Sequence, residues 1–146
     1  MMTDKELQEF LRRLGTLDKG QLSRLRGIHQ NRESVAWKEL ALLGSLEDPL
    51  ATVVAGLFAL NPKVADGNLG SLCRILRTSD SFDLRFTRLL SIRKARDIVP
   101  LLLPLVLMAK SRGIGIPYFT LYRDLAQFDE ANRNETFTRW ATSYAI

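Results

Sequence analysis

A two-sided helical pattern runs through the stretch Ser81-Phe82-Asp83-Leu84-Arg85-Phe86-Thr87-Arg88-Leu89-Leu90. Its large apolar side chains recur at positions 0, 4, 7 and 8, the spacing of a buried helical stripe. The members of this stripe are Phe82, Phe86, Leu89 and Leu90. Arg85 and Arg88 stand three apart, so they are neighbours on the helix surface beside the stripe. The stretch therefore predicts one helix that fills a core and also displays paired positive charges.

The segments around this stretch follow the same helical periodicity, and none alternates with period two between hairpin turns. Thr3 and Glu6 form a capping-box pattern, and Asp48 precedes a proline in the manner of a helix N-cap. We therefore predict an all-α fold, a compact bundle of about eight helices. Predicted segments before the final one are 3–14, 19–28, 35–43, 50–60, 68–77, 81–92, 97–112 and 117–127. The final helix contains Phe137 and Trp140.

The chain of 146 residues has the usual length of one domain, and we predict a single domain over residues 1–146. Asn61 and Pro62 end an apolar helix, and the polar stretch 63–67 follows it. This stretch predicts a soft division into an N-terminal sub-bundle, residues 1–62, and a C-terminal sub-bundle, residues 68–146, which pack together.

The periodicity also predicts which side chains are buried. Trp37, Leu40 and Leu43 are expected to point inward from one short helix. Nearly all aromatic side chains fall at core spacing, and Tyr118 and Phe119, which follow Pro117, are the expected exceptions. The longest apolar helix contains Pro100 and Pro104, so we expect it to start or to kink at Pro100.

Positive charge is concentrated in the second half of the chain. The net charge is +5, with 15 Arg and 6 Lys. Residues 1–48 contain 8 basic and 8 acidic side chains, whereas the segment from Gly70 to Gly115 contains 9 basic and 3 acidic. Arg can bind a phosphate through two parallel hydrogen bonds, so an Arg-rich excess favours a phosphate-bearing partner.

Arginine pairs three residues apart recur within this segment. The pairs are Arg74/Arg77, Arg85/Arg88 and Arg93/Arg96, and Lys94 lies inside the last of them. Side chains three apart on a helix are close enough to bind adjacent phosphates of one strand. The alternative is an ordinary solvated surface, but few acidic residues lie nearby to pair with these arginines. The pattern therefore favours a binding surface.

Catalytic and metal-binding patterns are missing from the sequence. The single His, His29, falls in a polar stretch, 29–33, where we expect a surface loop residue. Cys73 lies on the apolar side of its helix, where a small core residue is expected. Without a base for a nucleophile or a cluster of ligands, we predict a protein that is no enzyme and holds no metal or cofactor.

Two classes of function remain after these exclusions, with a third that fits less well. The chain is either a helical module that binds a nucleic-acid backbone or a helical adaptor whose basic surface meets an acidic protein. A sequence-specific helix-turn-helix regulator is the third possibility. It fits less well because Pro117, Tyr118 and Phe119 begin the helix that would read bases.

The order of several short strings over residues 50–146 resembles the CasB family, the small subunit of the type I-E CRISPR Cascade surveillance complex. The strings are Leu57-Phe58-Ala59-Leu60, Leu69-Gly70-Ser71-Leu72-Cys73-Arg74, Arg85-Phe86-Thr87-Arg88-Leu89-Leu90, Lys110-Ser111-Arg112-Gly113-Ile114, Ile116-Pro117-Tyr118, Arg123-Asp124-Leu125 and Arg139-Trp140-Ala141. In the first half, Leu22-Ser23-Arg24-Leu25-Arg26 is similar to the family's basic N-terminal helix.

The resemblance implies a non-enzymatic, all-helical subunit in the prokaryotic cytoplasm. Two copies would lie head to tail beside the backbone subunits and touch the large subunit. They would support the hybrid of guide RNA and target DNA and hold the displaced DNA strand. The basic residues that the resemblance carries over are Arg24, Arg26, Arg74, Arg85, Arg88, Lys110 and Arg112. One question stays open, whether Arg85 reaches a phosphate or is held inward by a carboxylate such as Asp124.

Overall fold

The computed structural model describes residues 1–30 and 33–146. This part of the chain contains nine α-helices and two short 3-10 helices, with one isolated backbone bridge and no sheet. The all-α prediction is therefore confirmed. The helices are α1 (Asp4–Leu14), α2 (Lys19–Arg26), α3 (Trp37–Leu43), α4 (Pro49–Leu60), α5 (Leu69–Leu76), α6 (Ser81–Leu90), α7 (Ala95–Ser111), α8 (Tyr118–Ala126) and α9 (Arg133–Ala145). The 3-10 helices are Gly27–Gln30 and Glu33–Ala36.

Local capping explains where several of these helices begin. The Thr3 hydroxyl accepts a hydrogen bond from the Glu6 N–H, and the Glu6 carboxylate accepts one from the Thr3 N–H. Asp48 caps α4 with Pro49 in the first turn, and Asn68 caps α5. At the other end of α3, Gly44 takes a positive φ of 71°, a conformation that glycine adopts without strain.

One hydrophobic cluster joins both halves of the chain. It is centred on α4, whose buried face includes Leu57 and Phe58, and α7 and α8 pack against this helix. The stretch 63–67 after α4 is hydrogen-bonded to the segment before α8: the Ala65 N–H donates to the Ile116 carbonyl, and the Ile116 N–H donates to the Lys63 carbonyl. The proposed sub-bundles, 1–62 and 68–146, stay a prediction that is compatible with this shared core.

Trp37 is exposed over 58 % of its surface, so the prediction that it is buried was wrong. Leu40 and Leu43 are buried as predicted, but the third buried residue of α3 is Glu39, which is 1 % exposed. An ion pair from α2 neutralises this carboxylate. The inward face of the helix is thereby centred between Glu39 and Leu43, which turns Trp37 toward solvent.

Tyr118 is fully buried, so its expected exposure was also wrong. Its hydroxyl lies 2.6 Å from the carbonyl oxygen of Asn61 and 3.0 Å from that of Leu57. Burial raises the pKa of the Tyr118 hydroxyl well above its usual range. The Tyr118 side chain therefore packs at the C-terminal end of α4. Phe119, the next residue, is half-buried.

The two prolines of α7 do not mark its start. The helix begins at Ala95 and continues through Pro100 and Pro104 to Ser111. Both prolines are exposed, as is Leu107 on the same outer face. Their rings therefore project into solvent and leave the inward side chains, such as Leu102 and Val106, to fill the core.

His29 lies in the 3-10 helix Gly27–Gln30 and is half-buried, so the expectation of a surface loop residue was wrong. Residues 31–32 of the predicted loop lie outside the described residues. The reason for the burial is Gly56 on α4, where a Cβ atom would stand 2.7 Å from His29 Nε2. The imidazole fits against α4 only because that position has no side chain. Nε2 is buried and has no hydrogen-bond partner in the described part of the chain.

We expect the free energy of unfolding to fall as the pH drops below about 6.5, the ordinary pKa of His29. Burial lowers the pKa of His29 in the folded protein, so the unfolded chain binds more protons in this range. The neutral imidazole of His29 therefore makes its full contribution to the free energy of unfolding above pH 6.5, and this contribution is lost progressively below that pH. Urea unfolding at pH 7.5, 6.5 and 5.5 measures the change. Because His29 is the single His, His29→Gln should flatten this part of the profile, and a slope unchanged in that variant would refute the assignment.

Candidate nucleic-acid interface

Residues of α6 and of α7 line one groove on the surface. Leu84, Arg85 and Arg88 line it from α6, and Leu101 and Pro104 line it from α7. The groove has a volume of about 320 Å³, and the buried Leu89 also lines it. The two arginines at the centre of the opening sequence motif therefore share one depression of the surface.

Packing of α6 against α9 determines which way these arginines point. The rings of Phe86 and Tyr144 stack with centroids 4.0 Å apart and an angle of 8° between their planes. Phe82 and Leu89 are also buried. With these side chains directed inward, Arg85 and Arg88 are left on the outer surface, as the sequence predicted.

Asp124 does not hold Arg85. Its carboxylate accepts hydrogen bonds from Arg139 Nη2 at 2.8 Å and from the Trp140 indole N–H at 2.9 Å. Arg85 instead lies along the neighbouring aromatic side chain, with its guanidinium 5.6 Å from the ring centroid of Phe82. Its charge is therefore available to a partner outside the chain.

Six of the eleven predicted contact residues are exposed, and their side chains make neither a hydrogen bond nor a salt bridge to another described residue. They are Arg74, Arg85, Arg88, Lys94, Arg96 and Lys110. Solvated cations without carboxylate partners can bind an external anion without first breaking an internal pair. These six are the candidate interface. We call them the α6–α7 basic surface because all except Arg74, which lies on α5, belong to α6, to α7 or to its N-cap residue Lys94.

The basic surface extends along the exposed face of α7. Arg96, Pro100, Leu107 and Lys110 follow one another at intervals of 4, 7 and 3 residues, so they lie on one side of the helix. A helix of 17 residues is about 25 Å long. Arg96 and Lys110 thus stand near opposite ends, with the groove between them, in an arrangement suited to an extended anion.

Arg77 is exposed, but it pairs with two carboxylates of the chain. Its guanidinium lies 2.6 Å from Asp80 and 3.0 Å from Asp83, and the hydrogen bonds to Asp83 raise the pKa of Arg77. Tyr144 also donates to Asp83, and burial, followed by this hydrogen bond, raises the pKa of Tyr144 to about 12. Arg77 stands at the C-terminal cap of α5, so it joins the end of that helix to α6.

Two more predicted residues have weaker internal contacts. Arg93 precedes α7 and Arg96 lies inside it, so this pair straddles a helix boundary. Arg93 is 3.9 Å from Glu130, and both side chains are largely exposed, so this ion pair adds little stability. Arg112 donates to the Leu76 carbonyl at 2.9 Å, which brings the end of α7 to the end of α5.

Arg24 and Arg26 lie on α2. Arg24 Nε donates to the buried carboxylate of Glu39 at 2.5 Å, and Arg26 Nε donates to the Ala59 carbonyl at 3.1 Å. The second oxygen of Glu39 is buried without a partner among the described residues. Arg24 therefore has a structural role, because it supplies the charge that a buried carboxylate requires.

We expect Arg24→Ala to destabilise the protein by about 2 kcal/mol, because it leaves Glu39 buried without a counter-charge. The value is set below that of a fully buried pair because the Arg24 side chain is 47 % exposed. Thermal or urea unfolding measures the loss. The double variant Arg24→Leu/Glu39→Leu should recover most of it, and equal stability of Arg24→Ala and the wild type would refute this role.

The sequence did not predict two of the groove residues, Leu101 and Pro104, because nothing in it shows which face of α7 meets α6. A third, Leu84, did leave a signal. It stands off the inward stripe of its helix, among polar positions, and is 75 % exposed.

Cys73 is buried as predicted, and burial raises the pKa of its thiol to about 12, which suits a core residue.

The described residues contain no cluster of three or more side chains able to bind a metal ion. No helix in the described part of the chain is long and apolar enough to cross a membrane. The α6–α7 basic surface and its groove carry positive charge that suits an anionic chain.

The fold defines the class, a small all-helical protein, and its surface has an Arg-rich part with a groove. A family model described as CRISPR-associated protein Cse2 matches residues 11–144. The chain belongs to this family, which confirms the resemblance to CasB, the small subunit of the type I-E Cascade.

Structure comparison supports the same fold. A chain of a solved structure described as a CRISPR RNA-guided surveillance complex superposes with a TM-score of 0.77 and 21 % sequence identity. The match covers 97 % of this chain and 92 % of that chain. At this sequence identity the structural match shows that the two chains share a fold, and it shows no more than that. No curated protein matches the sequence.

Proposed function

We propose that the protein is the non-catalytic small subunit of a type I-E CRISPR Cascade complex in the prokaryotic cytoplasm. It binds nucleic-acid backbone without sequence preference, and it supports both the hybrid of guide RNA and target DNA and the displaced DNA strand. Its partners are the backbone and large subunits and a second copy of itself. Family membership and the fold support the place in the complex.

The observation that carries the nucleic-acid role is the α6–α7 basic surface. The side chains of its six exposed cations make no hydrogen bond or salt bridge in the described part of the chain. Phosphate binding by cations that track a strand needs no base-reading group. The remaining predicted residues are proposed as secondary phosphate contacts, because each keeps at least one guanidinium nitrogen that makes no hydrogen bond to a described residue. They are Arg24, Arg26, Arg77, Arg93 and Arg112.

The test is binding of the purified protein to fluorescently labelled single-stranded, duplex and R-loop oligonucleotides at increasing salt. We expect binding at low salt, with the logarithm of the association constant falling linearly with the logarithm of the salt concentration. A helical adaptor for an acidic protein, the alternative, would shift none of these oligonucleotides at low salt. Such a result, with a correctly folded protein, would overturn the proposal.

A further inference from the structure

The groove between α6 and α7 is more apolar than a phosphate site requires. Four of its six lining residues are apolar, Leu84, Leu89, Leu101 and Pro104, and the other two are Arg85 and Arg88. Leu84 is 75 % exposed, and phosphate binding gives no reason for a leucine to face water at this point. Its position beside two outward arginines suggests a ligand with an anionic group and an apolar body.

The size of the groove limits what can occupy it. Pockets for small molecules have volumes of about 300–1,000 Å³, and the groove, at about 320 Å³, lies at the lower end of that range. One flat ring system fits such a volume, whereas a helix of another protein needs a longer furrow. Every ionisable side chain that lines the groove is cationic, so the charge favours an anion as well.

The helix α7 also offers a hydrogen-bond acceptor near the groove. Pro104 has no N–H, so the carbonyl of Pro100 lacks the donor that a helix normally supplies four residues later. Since both prolines are exposed, this carbonyl oxygen can accept a hydrogen bond from an external N–H. Amino groups of nucleobases are donors of this kind.

We propose that the groove takes one unpaired nucleobase of a single strand whose neighbouring phosphates bind Arg85 and Arg88. The base packs against Leu84, Leu101 and Pro104. The inference rests on the proposed function, and it adds a preference that backbone contacts alone do not give. Bases of a duplex are paired and stacked and cannot enter, so the site selects unpaired strand.

The experiment compares a single-stranded oligonucleotide with an abasic sugar-phosphate strand of equal length and charge. We expect the wild type to bind the base-bearing strand about tenfold more tightly, from roughly 50 Å² of apolar surface buried by one base. In Leu84→Gln/Leu101→Gln this ratio should fall to about one. The single variant Leu84→Gln, at an exposed position, should lower the ratio in the same direction and guards against misfolding of the double variant.

Ile75→Gln is the matched control, because Ile75 is an apolar residue that is 61 % exposed and lies outside the groove. It should keep the wild-type ratio. Equal binding of base-bearing and abasic strands by the wild type would overturn the inference and leave the proposed function standing. Failure to bind either strand would overturn the proposed function itself. A ratio that survives both groove variants, together with weaker assembly of these variants with protein subunits, would assign the groove to a protein partner and overturn the inference.

Discussion

Gly70→Ala should destabilise the protein by more than about 3 kcal/mol, because the new methyl group would collide with the backbone of α9. A Cβ atom at position 70 would stand 1.9 Å from the Trp140 carbonyl oxygen, 2.6 Å from its carbonyl carbon and 2.7 Å from its Cα. Backbone atoms cannot turn away as a flexible side chain does. The helices α5 and α9 would have to separate, although Trp140 is fully buried between its neighbours. Urea unfolding followed by circular dichroism measures the loss.

Gly20→Ala is the control for this variant. Gly20 also lies in the first turn of a helix, but its nearest neighbour to a new Cβ is the Asp18 carboxylate at 3.4 Å, an ordinary contact. Replacing a helical glycine by alanine then stabilises the fold by about 0.5–1 kcal/mol. If Gly70→Ala unfolded at the same urea concentration as Gly20→Ala, the close approach of α5 and α9 would be refuted.

Arg85→Gln/Arg88→Gln should weaken binding of single-stranded DNA at least about tenfold at low salt, since two phosphate contacts are lost. Both side chains are exposed and without an ion-pair partner among the described residues, so stability should stay within about 0.5 kcal/mol of the wild type. Fluorescence anisotropy with a labelled oligonucleotide measures the affinity, and urea unfolding measures the stability. Retained affinity in a variant with lowered stability would make the pair structural.

Arg12→Gln/Arg13→Gln removes the same charge from another place. Both arginines lie on α1 and pair with Glu9, at 2.6 Å and 3.1 Å. We expect this control to bind DNA nearly as well as the wild type. Equal losses in the two double variants would show that the protein attracts DNA through its net charge alone, without a site between α6 and α7.

Local signals predicted much of the fold. Thr3, Asp48 and Asn68 begin helices because a capping side chain acts within three residues of its partner, which a sequence shows directly. Trp37 and His29 were misplaced because their burial depends on distant residues. Glu39 turns α3 through an ion pair with α2, and His29 lies against the bare backbone of Gly56.

The candidate site was predictable in part, for the same reason. Arg85 and Arg88 point outward because the stripe of their own helix points inward, and that follows from spacing alone. The ion pair of Arg24 could not be predicted, because its partner Glu39 lies fifteen residues away on another helix. The groove itself could not be predicted, since it exists only where α7 lies beside α6 and brings Leu101 and Pro104 to Leu84.

The most direct test of the phosphate role is the salt dependence of single-strand binding by three proteins, the wild type and the two double variants. The slope of log K against log [salt] counts phosphate contacts, at about 0.7 for each contact on a single strand. We predict that the slope of Arg85→Gln/Arg88→Gln is smaller than that of the wild type by about 1.4, and that Arg12→Gln/Arg13→Gln keeps the wild-type slope. The same slope for all three proteins would contradict the account.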